Sequence, residues 1–355
     1  MEKLSRIRRA MQDAGRGAIL LTDEVNAYYA TGFSFTDGCV LITQKSAHLV
    51  TDSRYTEEAK ANVSSAFSVV APESRASYVT EVLAGEGIKE LYYEDLSLSC
   101  AAYSRMSEMY PVPLMPLGDM MLTLRMKKDK DELAAIAEAQ SLTDRAYSHL
   151  LEVMTPSMTE IEVALELEFF MRRNGAEGVS FDTISVSGAL SSLPHGRGMA
   201  RPLQKGFLTL DFGAKVKGYC ADMTRTVCIG RADDEMKRLY GTVLAAQEAG
   251  LSAIRAGASC RGVDNAARSL IEGAGYHGAF GHGLGHGVGM EVHEKPRLSP
   301  MAANERLEAG MVVTVEPGIY LEGRYGCRIE DMVALTEDGY ENFTQSSKEF
   351  VELFA

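Results

Sequence analysis

Phe207–Gly230 reads FLTLDFGAKVKGYCADMTRTVCIG, and its first half sets Leu208, Leu210 and Phe212 alternately with Thr209, Asp211 and Gly213. That is the period of a β-strand with one apolar and one polar face. A turn centred on Val216 and Lys217 folds the segment into a hairpin and places Asp222 directly opposite Asp211. Two carboxylates in that relation repel, and the usual remedies are a shared proton or a cation. A metal is the simpler explanation; on the hairpin alone, a solvated exposed face remains the minority reading of the pair.

Further carboxylates tip the balance toward a cation. Met311–Val315 is an apolar strand ending at Glu316 before Pro317-Gly318, where the missing proline N–H stops the ladder. Cys327–Leu335 reads as the next strand and carries Arg328 and Glu330 on one face, with Asp331 on the other. At that spacing the Arg328 guanidinium can orient the carboxylates from behind. Between the hairpins, every second residue of Gly281–Gly289 is glycine. The spacing does not fit a phosphate loop; bare backbone instead permits close approach of neighbouring chains and frees His282 and His286 to project into a cavity.

The 355 residues suit two domains, with 46% hydrophobic and 24% charged residues in the ordinary globular range. The formal charge of −13 argues against nucleic acid as a partner. No apolar run approaches the roughly 18 residues of a membrane span, and no signal-peptide stretch follows the first arginines, so a cytoplasmic protein without a membrane partner is expected. Six scattered cysteines with no Cys-x-x-Cys pair read as reduced thiols. The first part of the chain alternates strands (Gly17–Thr22, Cys39–Thr43, His48–Thr51) with helices (Asp52–Ala61, Arg75–Gly85), an α/β pattern. Pro111, Pro113 and Pro116, closed by Gly118, read as a stiff connector, dividing domain 1–118 from domain 119–355. Lys127–Met154 opens the second domain as a long helix. Thr159 with Glu162 forms a capping box for another that stops at Gly175. The succession from Ser157–Ile161 is echoed from Ser259–Val263, which suggests an internal duplication with the site between its halves.

Taken together these motifs resemble the pita-bread metallopeptidases, the group of prolidase, aminopeptidase P and methionine aminopeptidase. The matching residues are Asp211 in Asp211-Phe212-Gly213, Asp222 in Ala221–Thr226, His286 in the glycine-rich run, Glu316 in Val315–Gly318, and Glu330 in Arg328–Asp331. Tyr28–Phe33 and Thr51–Tyr55 resemble the creatinase/prolidase N-terminal domain. The resemblance implies an α/β (α+β) chain: a small creatinase/prolidase-type α/β domain, then a pita-bread catalytic domain with a pseudo-two-fold repeat. It also implies two divalent ions, Asp211 on one, His286 and Glu316 on the other, Asp222 and Glu330 bridging, and an attacking hydroxide between them. Four carboxylates and one imidazole suit Mn2+, with Co2+, Zn2+ or Fe2+ as alternatives. By the same resemblance Glu316 accepts the proton of the attacking water. His293 bonds the scissile carbonyl, His195 contacts the substrate near the leaving proline, and His282 lines the cleft. Tyr320 resembles a position near the site, with a core tyrosine as the other reading.

The large N-terminal domain disfavours methionine aminopeptidase. Arg297, four residues after His293, resembles the prolidase residue that grips a dipeptide's free carboxylate, a task a guanidinium suits. The expected activity is an Xaa-Pro dipeptidase acting on proline-containing peptides. The alternatives are an Xaa-Pro aminopeptidase acting on longer peptides, and a non-catalytic peptide-binding protein on the same fold. Intact ligand positions speak against the last and against a metal-independent creatinase-like hydrolase. A homodimer is expected by family analogy.

Overall fold

The computed structural model describes residues 2–302 and 304–355. The chain forms two compact units, Met1–Leu124 and Arg125–Ala355. The division lies beyond Gly118, within the short helix Met120–Met126.

The first unit is built on a six-stranded sheet of β1 (Ala18–Leu21), β2 (Cys39–Thr43), β3 (Ala47–Val50), β4 (Ser68–Val70), β5 (Leu91–Tyr93) and β6 (Leu114–Pro116), in the order β4-β3-β2-β1-β5-β6. Every residue of β1, β2 and β3 is buried, as a sheet covered on both faces requires. Tyr28–Thr31 lies on the helix Glu24–Thr31, capped by Asp23 at its start and by left-handed Gly32 (φ 70°) at its end.

In the second unit the helix Lys130–Val153 begins with an Asp129/Glu132 capping box, and Glu160–Arg173 with the Thr159/Glu162 box read from the sequence. Helices Asp234–Ala253 and Cys260–Gly273 repeat this hairpin, and the bridges Thr159↔Pro202 and Ser259↔Arg306 fall at matching places. The strands are β7 (Gly178–Val179), β8 (Ile184–Ser187), β9 (Gly206–Phe212), β10 (Ala214–Val216), β11 (Tyr219–Cys220), β12 (Met223–Ile229), β13 (Gly285–Gly287), β14 (Glu294–Leu298), β15 (Val312–Val315), β16 (Gly318–Leu321), β17 (Tyr325–Arg328), β18 (Asp331–Leu335), β19 (Tyr340–Asn342) and β20 (Glu352–Leu353). A four-stranded sheet, β20-β12-β9-β8, and a five-stranded sheet, β14-β13-β15-β18-β19, carry the chemistry. The core sets Val243, Ala246, Val263 and Ile271 of the second helical hairpin against Leu284, Val313 and Val315.

Two expectations are corrected. The hairpin pairs Lys215 with Cys220 and Val216 with Tyr219, so its turn is centred on Lys217-Gly218. Both central residues have positive φ, 50° and 77°, which Gly218 accepts without strain and β-branched Val216 resists. The register shifts accordingly, and Thr224, not Asp222, stands opposite Asp211. Nor is Cys327–Leu335 one strand. β17 pairs with β16 and β18 with β15, leaving Ile329 and Glu330 between two ladders. Arg328, at the end of β17, and Glu330, in the gap, both reach the same site.

Candidate active site

Asp211 sits near the end of β9, Asp222 just before β12, His286 in the middle of β13, Glu316 just after β15, and Glu330 in the gap between β17 and β18. All five line one cavity of about 790 Å³. Asp222, His286 and Glu330 each offer a ligand atom within 4.8 Å of the others. His286 Nε2 lies 3.2 Å from Glu316 Oε1 and 3.6 Å from Asp222 Oδ2.

The alternating glycines explain how His286 gets there. A Cβ on Gly285 would stand 2.0 Å from the Thr314 carbonyl oxygen, and one on Gly287 2.1 Å from that of Lys295. The backbones on either side press against β13, and only glycine at both positions lets the imidazole between them enter the cavity. Its backbone N–H donates to Thr314 Oγ1 at 3.1 Å, and that hydroxyl lies 3.3 Å from Glu316 Oε1. Nδ1 lies 3.1 Å from the Gly287 carbonyl, which accepts its proton and leaves the Nε2 lone pair aimed at the carboxylates.

Lone pair facing carboxylates is repulsive unless a proton or a cation lies between. Burial, then the charges of Glu330, Asp211 and Glu316, push the Asp222 carboxyl well above its usual range. Glu330 is pushed up in the same way, first by burial and then by Glu316 and Asp211. Burial also raises Asp211, against the opposing charge of Arg328. At Glu316, with a proton on His286 Nε2 in place of a cation, burial is outweighed by the hydrogen bond and charge of that imidazole, which hold the carboxyl down at about 2. Asp211 Oδ1 and Glu330 Oε1 are buried with no hydrogen-bond partner. Four carboxylates and a bare imidazole nitrogen, two of the oxygens unpartnered, make a donor set for hard or borderline divalent cations, and the residues fit such ions.

Arg328, buried behind the cluster, donates from Nη2 to Asp211 Oδ2 (2.6 Å), from Nε to Thr224 Oγ1 (3.0 Å) and from Nη1 to the Pro194 carbonyl (3.2 Å). Thr224 in turn donates to Glu330 Oε2 at 2.7 Å. Thr224 escaped the sequence reading, although its place two residues after Asp222 on a strand of period two was a usable signal. Arg328 Nη1 also donates to the Tyr320 hydroxyl at 2.7 Å, and that hydroxyl is 3.0 Å from His282 Nε2. His282 Nδ1 lies 2.8 Å from the Gly283 carbonyl. His282 lines the cavity as expected, but both its nitrogens are engaged by protein groups, so it offers the cleft a ring and no free polar atom.

His195, His293 and Arg297 line the same cavity and are exposed. Arg297 lies opposite His286 in the β13–β14 ladder. The His293 and His286 rings meet edge to face at 4.3 Å, and burial, then the charges of His286 and Arg297, lower the His293 pKa to about 4. His293 is therefore neutral at pH 7. Next to it, Glu294 is buried and ion-paired with Arg125 and Lys128, partners no local pattern signalled. Of the unassigned histidines, His48 bonds Ser46 and Tyr78, and His149 bonds Glu166. Asp331 faces away from the cluster and pairs with buried Arg225, whose Nη1 donates to the Glu330 carbonyl at 2.5 Å.

Comparison with known proteins identifies the family. Residues 134–337 match the model of metallopeptidase family M24, and residues 3–127 that of the creatinase/prolidase N-terminal domain. An Xaa-Pro dipeptidase of Pyrococcus horikoshii is 34% identical over 353 residues, 99% of each chain. The solved structure of an Xaa-Pro dipeptidase from Bacillus anthracis superposes with a TM-score of 0.95 at 41% identity, covering 99% of both chains. That of an X-Pro aminopeptidase from Thermotoga maritima does so with 0.91 at 36% identity, covering 97% of this chain and 100% of that one. The mixed α/β architecture is the pita-bread fold behind a creatinase-type domain, and divalent metal cofactors come with the family. On these matches the chain belongs to metallopeptidase family M24.

Proposed function

We propose that this metallopeptidase hydrolyses Xaa-Pro dipeptides in the cytoplasm, as a homodimer, with two manganese ions held in the second unit. The observation that supports it most is the group of buried Asp222, His286 and Glu330 with half-buried Asp211 and Glu316, open to a cavity that also presents His195, His293 and Arg297. In this reading Asp211, Asp222, His286, Glu316 and Glu330 would together hold the two ions. Ions bound there would supply Lewis-acid polarisation of the scissile carbonyl and a lowered pKa for the attacking water.

The chain's own residues do the rest. Glu316 accepts the proton of the attacking water. Neutral His293 donates a hydrogen bond to the carbonyl oxygen as it gains charge, without bringing a positive charge of its own to the ions. His195 contacts the substrate beside the departing proline, and Arg297 grips the dipeptide's terminal carboxylate. Arg328 and Thr224 keep Asp211 and Glu330 aimed inward. All six cysteines are free and five are buried, which suits a reducing compartment. No helix among the described residues is long and apolar enough to cross a membrane.

The second reading is an Xaa-Pro aminopeptidase, favoured by the likeness to the Thermotoga maritima structure. Hydrolysis of Gly-Pro beside Gly-Pro-Pro, by metal-stripped protein reloaded with Mn2+ and with an Asp222→Asn control, separates them. Cleavage of Gly-Pro alone supports the dipeptidase, and cleavage of the tripeptide the aminopeptidase. No metal-dependent turnover of either defeats both and returns the non-catalytic peptide-binding reading.

A further inference from the structure

Beyond the residues already given roles, the cavity is lined by a second exposed arginine, Arg197, in Pro194-His195-Gly196-Arg197-Gly198. We propose that Arg197 is a specificity residue, a fixed positive charge that selects dipeptides with an acidic residue before the proline. The inference rests on the dipeptidase reading and adds a substrate class to it.

The segment carrying Arg197 is held on both sides. The Pro194 carbonyl accepts from Arg328 Nη1 at 3.2 Å, and Gly196 N–H donates to the Leu193 carbonyl at 3.0 Å. On the far side, Met199 N–H donates to Glu160 Oε2 at 2.9 Å. Glu160 is fully buried and also accepts from Ser187 N–H and Arg201. Gly198 lies so close to the neighbouring strand that a Cβ there would stand 2.8 Å from the Ser185 carbonyl oxygen. The backbone of Arg197 is thus in place before any ligand arrives, while its guanidinium has no hydrogen-bond or ion-pair partner among the described residues. A charge held ready at a binding site costs a ligand little ordering.

The charge balance of the cavity points the same way. The ligand carboxylates are matched by the divalent ions, and Arg328 is committed to Asp211. What remains of fixed charge on the lining is Asp182 against Arg197 and Arg297, a basic opening on a chain of net charge −13. A dipeptide ending in proline has one terminal carboxylate, which Arg297 takes. The only place such a substrate can carry a second anion is the side chain of its first residue. Two guanidiniums in one small cavity therefore fit a substrate with two carboxylates.

The test is kcat/KM of the manganese-loaded enzyme for Asp-Pro and for its neutral isostere Asn-Pro, in wild type, Arg197→Gln, Arg197→Lys and Arg297→Gln, with Gly-Pro as reference. The ratio of the two substrates within each protein cancels any general loss of activity. Wild type is expected to favour Asp-Pro roughly tenfold, the range of one hydrogen bond to a charged group. The ratio falls to near one in Arg197→Gln, recovers in part in Arg197→Lys, and persists in Arg297→Gln. Equal rates for Asp-Pro and Asn-Pro in a wild type that cleaves Gly-Pro overturn this inference alone. So does a preference that survives Arg197→Gln, or an equal loss on all three substrates, which would assign Arg197 to the shared carboxylate. No turnover of Gly-Pro by wild type overturns the dipeptidase reading, and this inference with it.

Discussion

Replacing Glu294 by alanine is expected to cost both stability and turnover, although Glu294 touches neither substrate nor metal ligand. Its carboxylate accepts from Arg125 Nη2 (2.5 Å), Lys128 Nζ (3.1 Å), Met290 N–H (3.1 Å) and Glu291 N–H (3.2 Å). The side chains of Arg125 and Lys128 are only 2% and 1% exposed, and the variant takes the shared carboxylate from both, leaving Arg125 its pair with Glu291 and Lys128 the Met126 carbonyl. Removing one partner from a buried ion pair costs about 3–5 kcal/mol. For a unit of about 230 residues, that lowers the thermal midpoint by about 10 °C.

The sign of the pH dependence follows from the carboxyl's shift. Burial alone raises the Glu294 pKa, but the charges of Lys128 and Arg125 and their hydrogen bonds outweigh it and hold it below the ordinary value. A depressed carboxyl contributes stability above its unfolded pKa and loses it as pH falls through its folded one. The gap between wild type and Glu294→Ala is therefore full at pH 7 and closes in acid, below the ordinary glutamate pKa of about 4.3. Glu294 also closes the turn that carries His293, so kcat for Gly-Pro falls too. In the proposed reading of His293 as a donor to the developing oxyanion, the ceiling is the loss in His293→Ala, about 10²–10³-fold. Thermal melts from pH 3 to 8 and steady-state kinetics check both. A midpoint within 3 °C of wild type at pH 7, with kcat unchanged, refutes the reasoning.

Three other perturbations follow from the site. Asp222→Asn removes a carboxylate whose pKa burial and its acidic neighbours raise, so metal-stripped wild type loses stability as pH climbs through that raised value, and the variant, which keeps only the raised Asp211 and Glu330, loses less. At pH 8 the stripped variant should melt at least about 3 °C above stripped wild type, the effect of about 1 kcal/mol, yet gain nothing from added Mn2+; a lower midpoint contradicts this. Gly285→Ala puts a methyl group 2.0 Å from the Thr314 carbonyl, which must part β13 from β15 and displace His286. Calorimetric titration with Mn2+ should show affinity at least tenfold weaker, and an unchanged isotherm argues against the close approach. Arg225→Met strands buried Asp331, leaving it Lys348 and Asn342, and frees the Glu330 carbonyl. Urea unfolding should register a loss of about 3–5 kcal/mol, and a loss under 1 kcal/mol would count against the pair.

How far the sequence reaches is clear from particular residues. The Thr159/Glu162 box and the long helix after Asp129 are local patterns, decided by side chains within one turn, and they stand within a few residues of where they were expected. Asp211, Glu316 and the glycines around His286 were legible because each violates a local rule: charge beside an apolar strand, or five alternate glycines where a strand should carry side chains. Register was not legible. Period two says which residues share a face but not where a hairpin turns, and a one-residue error at Lys217-Gly218 moved Asp222 into the place of Thr224. Equally hidden were Arg125 and Lys128 at Glu294, which meet it across more than 160 residues of chain.

The distinction has a physical root. Propensity and pattern speak for elements, whereas the partners that satisfy a buried charge come from wherever the fold delivers them. At Glu294 and Asp331 the fold delivers protein cations, and both carboxyls are held below their ordinary values. At Asp211, Asp222 and Glu330 it delivers two buried acids and a half-buried one whose values rise, with Arg328 as the guanidinium in contact and two buried oxygens left without a donor. The same chain thus shows in one unit that it can neutralise a buried carboxylate and that at one place it does not. Such a local conflict persists only where something outside the chain resolves it, and it marks the cluster as a site for cations more firmly than the ligand residue types alone.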